Sequence, residues 1–271
     1  MRDRKHRPWR TKDMTKPTHN DQIRAIFAER AAIYTTSASH TDEDALAWVV
    51  RCARPQPGWR VLDVATGTGH TAFALAPHVA HVTAVDLTPE MLDEARGLQQ
   101  KNGLANVAFQ TGDAHKLPFE DGRFDLVTSR RAPHHFTEIR TALAEMRRVL
   151  RPGGRLVVDD RSVPEDDEVD AIMNRLDVLH DPSHVRQYRP SEWRSLLEAA
   201  GFKVESVEPF ARDRSIRQLQ RGVPAADAAE IERILRTLTA RQMSLMQVTE
   251  RGNELHHLHY FVMIAAVNPG E

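Results

Sequence analysis

From about Asn20 onward, short apolar runs alternate with stretches whose apolar positions recur at helical spacing. Two leading helices are predicted over Asp21–Ile33 and Asp42–Ala53. The run Trp59–Ala65 predicts a strand that ends in a glycine-rich turn, Thr66-Gly67-Thr68-Gly69, with a helix over Thr71–Ala76 behind it. The cycle continues with a strand over Val79–Val85, a helix over Pro89–Asn102, and strands over Val107–Gln110 and Phe124–Ser129. A helix over Glu138–Leu150 and a strand over Arg155–Asp159 complete it, with Arg151-Pro152-Gly153-Gly154 as the stop and tight turn between them. Strands joined by helical crossovers predict a parallel sheet with helices on both faces.

The remainder is less regular. Glu165–His180 reads as a helix, Asp181-Pro182-Ser183-His184 as a break, and Ser191–Ala200 as a helix with Ser191 at its N-cap and Gly201 past its end. Phe202–Phe210 alternates like a strand. One long helix over Ala225–Thr249 precedes a final strand, His259–Val267. That ending fits a sheet closed by an antiparallel edge strand, so the expected fold is α/β, Rossmann-like and doubly wound, with seven mostly parallel strands plus helical lid and cover segments.

Composition narrows the class. The 271 residues carry 37 Lys+Arg against 38 Asp+Glu, so no global field marks a nucleic-acid or membrane-surface binder. The single cysteine, Cys52, excludes an internal disulfide and a cysteine-based zinc site. The longest apolar run, Tyr260–Val267, is too short to span a bilayer, and a cytoplasmic enzyme is expected. Residues 1–19 stand apart, with Arg2, Arg4, Lys5, Arg7, Arg10, Lys12 and Lys16 against Asp3 and Asp13. They lack the apolar core of a secretion signal and read as a solvated, disordered tail rather than a nucleic-acid arm, with Met14 as an alternative start. Residues 20–271 then form one domain: lid helices over 20–56, a cofactor-binding half over 57–160, and a substrate cover with closing strands over 161–271.

The chemistry concentrates at the carboxyl ends of the predicted strands, where open α/β sheets bind ligands. Asp63 lies four residues before Gly67; Gly67 and Gly69 let the backbone approach a ligand, and the helix beyond offers free N–H groups. Asp86 ends the second strand, placed to accept from both hydroxyls of a ribose. On these residues alone a nicotinamide dinucleotide remains possible, since Gly67–Ala72 satisfies G-x-G-x-x-[GA]. Asp63 so close to the glycines opposes a pyrophosphate and suits a cationic ligand. Gly112-Asp113-Ala114, after the third strand, adds an acceptor for an adenine amino group.

Taken in order, Val61–Gly69, Val82–Asp86, Gly112–Ala114, Phe124–Val127 and Leu150–Gly154 resemble the motifs of the class I S-adenosylmethionine-dependent methyltransferases. The likeness spans about Asn20–Val267 and is nearest to the small-molecule enzymes allied to ubiquinone and menaquinone biosynthesis. It implies S-adenosylmethionine as cofactor. Asp63, Ala65, Gly67 and Gly69 would hold its methionine part, Asp86 its ribose, and Leu87 and Met91 would pack beside the adenine. Asp113 and the backbone of Gly112 and Ala114 would meet the adenine, and Ser129 and Arg130 would border the transferable methyl. Tyr34 and His40, in the segment Phe27–His40, would belong to a lid, with Arg131 beside an acidic substrate group. The chain lacks the Asn-Pro-Pro-Tyr sequence of DNA and protein amide methyltransferases, and one cysteine is too few for an arsenite methyltransferase.

His134 and His135 follow the fourth strand and are the candidate general bases, an unperturbed imidazole having a pKa near working pH. His134 is favoured narrowly, on strand alternation past Ser129. His256, His257 and His259 read as surface histidines with no carboxylate partner, so no metal is expected. The leading reading is methyl transfer to an O, N, S or C nucleophile of a small molecule. The alternatives are a quinone-precursor C-methyltransferase, a Rossmann NAD(P)-dependent oxidoreductase, and a non-catalytic cofactor-binding regulator.

Overall fold

The computed structural model of the chain describes residues 18–270. Its apolar runs pair into one eight-stranded sheet of order β3-β2-β1-β4-β5-β8-β6, with β7 added on β8. The parallel part holds β1 (Arg60–Val64), β2 (His81–Asp86), β3 (Val107–Thr111), β4 (Phe124–Arg130) and β5 (Leu150–Arg161). Antiparallel β8 (Glu254–Val267) runs between β5 and β6 (Lys203–Ser215). The eighth strand, β7 (Thr249–Arg251), turns back on β8. Every residue of β7 is exposed, so no apolar alternation announced it.

Pleating sends neighbouring residues to opposite faces. Leu62, Val127, Leu156, Val158, Val262 and Ile264 join one core with Met146 of α5 (Ile139–Val149) and Trp193 of α7 (Pro190–Ala199). Their neighbours Val61, Leu126, Val157 and Met263 join the other. There they meet Val49 of α2 (Glu43–Ala53), Phe73 of α3 (His70–Leu75) and Ala95 of α4 (Pro89–Asn102). A third core lies beneath the cover, among α6 (Asp167–His180), α8 (Ile216–Leu219), α9 (Ala225–Arg236) and α10 (Ala240–Met246). α1 (His19–Tyr34) buries only Ile23 and Ala31.

Several expectations need correction. The long helix over Ala225–Thr249 is two helices: Thr237 Oγ1 turns back to the carbonyls of Arg233 and Ile234, and Thr239 caps α10 by accepting from Gln242 N–H. Ser191 is not the N-cap of α7; Arg189 holds that position and its N–H donates to Glu192, while Ser191 binds Glu165. The Arg151–Gly154 turn is a bulge inside β5, as the pairing jumps from Phe124↔Leu150 to Leu126↔Arg155. A Cβ on Gly154 would stand 2.8 Å from the Arg151 carbonyl oxygen, so the bulge requires glycine. The tail expected over residues 1–19 falls largely outside the described residues; Thr18 caps α1 and His19 opens it. Among the described residues, no helix is long and apolar enough to cross a membrane.

Candidate active site

The loop after β1 begins a concavity at the carboxyl end of the sheet. Ala65, Gly67 and Gly69 all have positive φ (54°, 55° and 88°), which turns the chain sharply into α3. A Cβ on Gly67 would meet nothing within 4 Å, so the loop faces open space there. The cavity encloses about 910 Å³ of empty space, part of it open to solvent. Ala65, Gly67, Asp86, Leu87, Met91, Gly112, Asp113, Ala114, Arg130, Arg131, Tyr34, His40 and His135 all line it.

Four predicted residues stand behind the wall instead. Asp63, 1% exposed, accepts from Thr66 Oγ1 at 2.5 Å and Thr128 Oγ1 at 2.6 Å, so its carboxylate shapes the loop and ties β1 to β4. Burial pushes its pKa up to about 6. Ser129 Oγ donates to the Val64 carbonyl and does the same for the next turn of pleat. Gly69 supports the loop from below, where a Cβ would stand 2.7 Å from the Phe73 ring. His134 faces a different cavity, described below.

Asp86 sits at the centre of the loop's hydrogen bonding. Its Oδ2 accepts from Gly67 N–H at 2.8 Å and its Oδ1 from Thr88 N–H at 2.9 Å. Each oxygen keeps a lone pair, and desolvation raises the pKa of the group. Asp113 accepts from His115 N–H and Nδ1 and, across the cavity mouth, from Asn20 Nδ2 at 3.0 Å. That bond stitches α1 to the end of β3. Sequence reasoning missed Asn20, Ile23, Phe27, His70, His115 and Phe136 in the lining. Phe136 directly follows the two candidate bases; Asn20 sat at a supposed tail boundary and carried no signal.

Arg130 fastens the segment beyond α1. It donates from Nε to Thr71 Oγ1 at 3.0 Å, and from Nη2 and Nη1 to the carbonyls of His40 and Ser39. A second concavity opens on the other side, and Tyr34, His40, Arg131 and His135 line both. The neck is aromatic: Phe27 packs edge-on against Tyr34 at 5.7 Å and His135 at 5.1 Å, and Tyr34 against His40 at 4.6 Å.

The two candidate bases differ in surroundings. His134, 2% exposed, is hydrogen-bonded through Nδ1 to Asp160 Oδ1 at 2.6 Å. Burial beside Asp159 pushes Asp160 up to about 8, and burial pushes His134 well down, so the pair is neutral overall. His135 Nδ1 lies 3.0 Å from the Ser183 carbonyl, an acceptor only, so Nδ1 carries the hydrogen and Nε2 the lone pair. Ser183 Oγ in turn donates to Asp181. Burial lowers the His135 pKa, keeping the imidazole neutral near neutral pH. The strand alternation that favoured His134 stops at Arg131, whose φ of 55° breaks the strand, and it is His135 that lines the first cavity.

His257 and His259 are not surface residues. They are 3% and 9% exposed, and His259 Nε2 lies 3.9 Å from the carboxylate of buried Asp177. Among the described residues, no group of three or more His, Cys, Asp and Glu side chains could hold a metal ion.

Comparison with known proteins bears on this site. A methyltransferase-domain family matches residues 55–201. The uncharacterized methyltransferase YcgJ of Bacillus subtilis is 38% identical over 184 residues, covering 68% of this chain and 73% of the relative. Its crystal structure superposes with a TM-score of 0.80 at 32% identity, covering 84% of this chain and 99% of that one. A demethylmenaquinone methyltransferase of Clavibacter sepedonicus is 39% identical over 148 residues, 53% of this chain and 59% of the relative.

Proposed function

The chain belongs to the S-adenosylmethionine-dependent methyltransferases, and from that premise we propose that it binds S-adenosylmethionine in the first cavity and methylates a small molecule held in the second. The observation that carries this reading is the convergence on one cavity of three strand ends, Ala65–Thr68, Asp86 and Gly112–Ala114, with a second cavity opening through a shared neck. The donor set suits the cofactor. Gly67 leaves open space where a side chain would stand. Asp86 keeps free lone pairs for ribose hydroxyls, and Leu87, Met91 and Phe136 offer apolar surface to an adenine. The cofactor supplies an electrophilic methyl on a sulfonium.

The protein's part is alignment and dryness. Arg130 and the Asn20–Asp113 bond hold the segment 18–41 over the cavity as a lid, and the Phe27, Tyr34 and His40 rings exclude water at the neck. His135, with Nδ1–H committed to the Ser183 carbonyl, accepts the nucleophile's proton at Nε2. Asp181, through Ser183, steadies the imidazolium that forms.

Titration calorimetry with S-adenosylhomocysteine tests the cofactor assignment. Wild type binds it, and Asp86→Ala weakens binding by about tenfold or more, because hydrogen bonds to a charged group are worth about 1.5–3 kcal/mol each. Unchanged affinity in Asp86→Ala refutes the ribose role, and binding of NADH in place of S-adenosylhomocysteine refutes the cofactor.

A further inference from the structure

The second cavity is the more charged of the two. Six arginines line it, Arg30, Arg131, Arg161, Arg212, Arg214 and Arg221, against three aspartates, Asp42, Asp181 and Asp213. They arrive from separate places in the chain: α1, the end of β4, the end of β5, β6 and the turn after α8. Like charges gathered in one concavity repel, and the walls of a cavity screen them less than open water does.

The protein's own carboxylates do not balance them. Arg212 pairs with Asp42, Arg30 stands 3.6 Å from Asp181, and Arg131 Nε donates to Asp159 behind the wall at 3.1 Å. Arg161 and Arg214 share one carboxylate, Asp177, at 2.9 and 3.4 Å. Arg221 has no ion pair among the described residues. Asp213 is taken from outside by Arg251 at 2.9 Å and His256 at 2.7 Å. At least two guanidinium charges are left in excess. Two further signs agree: burial holds Arg214 down to about 10, and the buried Nε2 of His259, a residue of the cavity lining, has no hydrogen-bond partner. A neutral, apolar acceptor would leave these donors desolvated and unmatched.

We propose that the methyl acceptor is an anionic small molecule, its carboxylate or phosphate held by the Arg161, Arg214 and Arg221 guanidinium groups while its nucleophilic atom lies at the neck beside His135. This rests on the second cavity being the acceptor site of a methyltransferase. Guanidinium forks match both oxyanions in bidentate fashion, which orients the acceptor as well as binding it. A negative charge on the acceptor also favours approach to a sulfonium.

Calorimetry with four matched probes separates the possibilities: 4-hydroxybenzoate and phenyl phosphate as anions, methyl 4-hydroxybenzoate and phenol as their neutral counterparts. Each is titrated with and without saturating S-adenosylhomocysteine, so the arginine cavity is read whether or not the cofactor reading stands. At least one anion should bind about tenfold or more tightly than its neutral partner, and should weaken as salt is raised. Whichever anion binds tighter distinguishes a carboxylate acceptor from a phosphate one. Arg221→Glu, an exposed residue at the mouth of the cavity, should lose most of that preference while keeping its melting temperature and its S-adenosylhomocysteine affinity. Equal binding of anions and neutral partners, absence of anion binding in the millimolar range, or an unaltered preference in Arg221→Glu overturns the proposal. Failure of S-adenosylhomocysteine itself to bind overturns the cofactor reading instead.

Discussion

Two adjacent histidines show how strongly a side chain's role depends on its partner. His134 faces a carboxyl that burial keeps largely protonated, so its Nδ1 is engaged and its ring is 2% exposed. His135 gives Nδ1–H to a carbonyl and keeps Nε2 as an acceptor on a wall shared by both cavities. A general base contributes about 10²–10⁴ in rate, so His135→Ala should lower kcat on that scale with S-adenosylhomocysteine affinity nearly intact. The imidazole is competent only when neutral, and its pKa is lowered by burial. The acid limb of the kcat/KM profile should therefore lie below the ordinary histidine value of about 6.5. In His135→Ala that limb should vanish and residual turnover should rise with pH as the acceptor ionises unaided. Equal losses in His134→Ala and His135→Ala, with weakened cofactor binding in both, would count against the assignment.

Among the elements, α1 is the least secured by packing. It is well begun, with Thr18 and Asp21 forming a capping box, yet it buries only Ile23 and Ala31 along sixteen residues. Most of what holds it is polar: Asn20 to Asp113, Arg30 near Asp181, and the Arg130 bonds to the loop that follows. Helices with few buried contacts open locally at low cost. Hydrogen exchange should accordingly be fast along α1 and slow in β1, whose Val61–Val64 are all buried. S-adenosylhomocysteine should slow exchange in α1, because Asn20, Ile23 and Phe27 line the first cavity. Protection of α1 equal to that of β1 in the free protein would refute a lid that opens.

Across the whole molecule, buried histidines dominate the response to acid. His180, His184 and His257 are each held down to about 4 by desolvation, and His40, His70, His134, His135 and His259 are also lowered. An unfolded histidine titrates near 6.5, so between about 6.5 and 4 the unfolded chain binds more protons than the folded one. Stability from these groups is complete above that window and is lost as pH falls through it. Asp63, Asp86 and Asp160 have raised values and act in the opposite direction, but they are outnumbered. The melting temperature should fall steadily from about pH 6.5 to pH 4; a flat profile there would mean that these histidines are hydrated.

Local sequence carried the nucleotide-type half almost completely. Strand alternation identified β1 to β4, and the glycines and terminal acids located the first cavity, because strand ends and tight turns are set by neighbours in the chain. The helix over Pro89–Asn102 matched α4 residue for residue, its Pro start and Gly103 stop being local signals. The split of α9 from α10 and the exposed hairpin of β7 rest on caps and a tight turn that apolar periodicity does not register. Legibility failed also where long-range contacts decide: the bulge in β5 answers to its partner strand β4. The same holds for Asp63, whose carboxylate looks like a ligand group in the sequence and is consumed by Thr128, 65 residues away. It holds most of all for the second cavity. Its arginines are scattered singly from residue 30 to residue 221, where each reads as ordinary surface charge. Only the antiparallel return of β8 between β5 and β6, with the cover folded across it, brings them into one concavity.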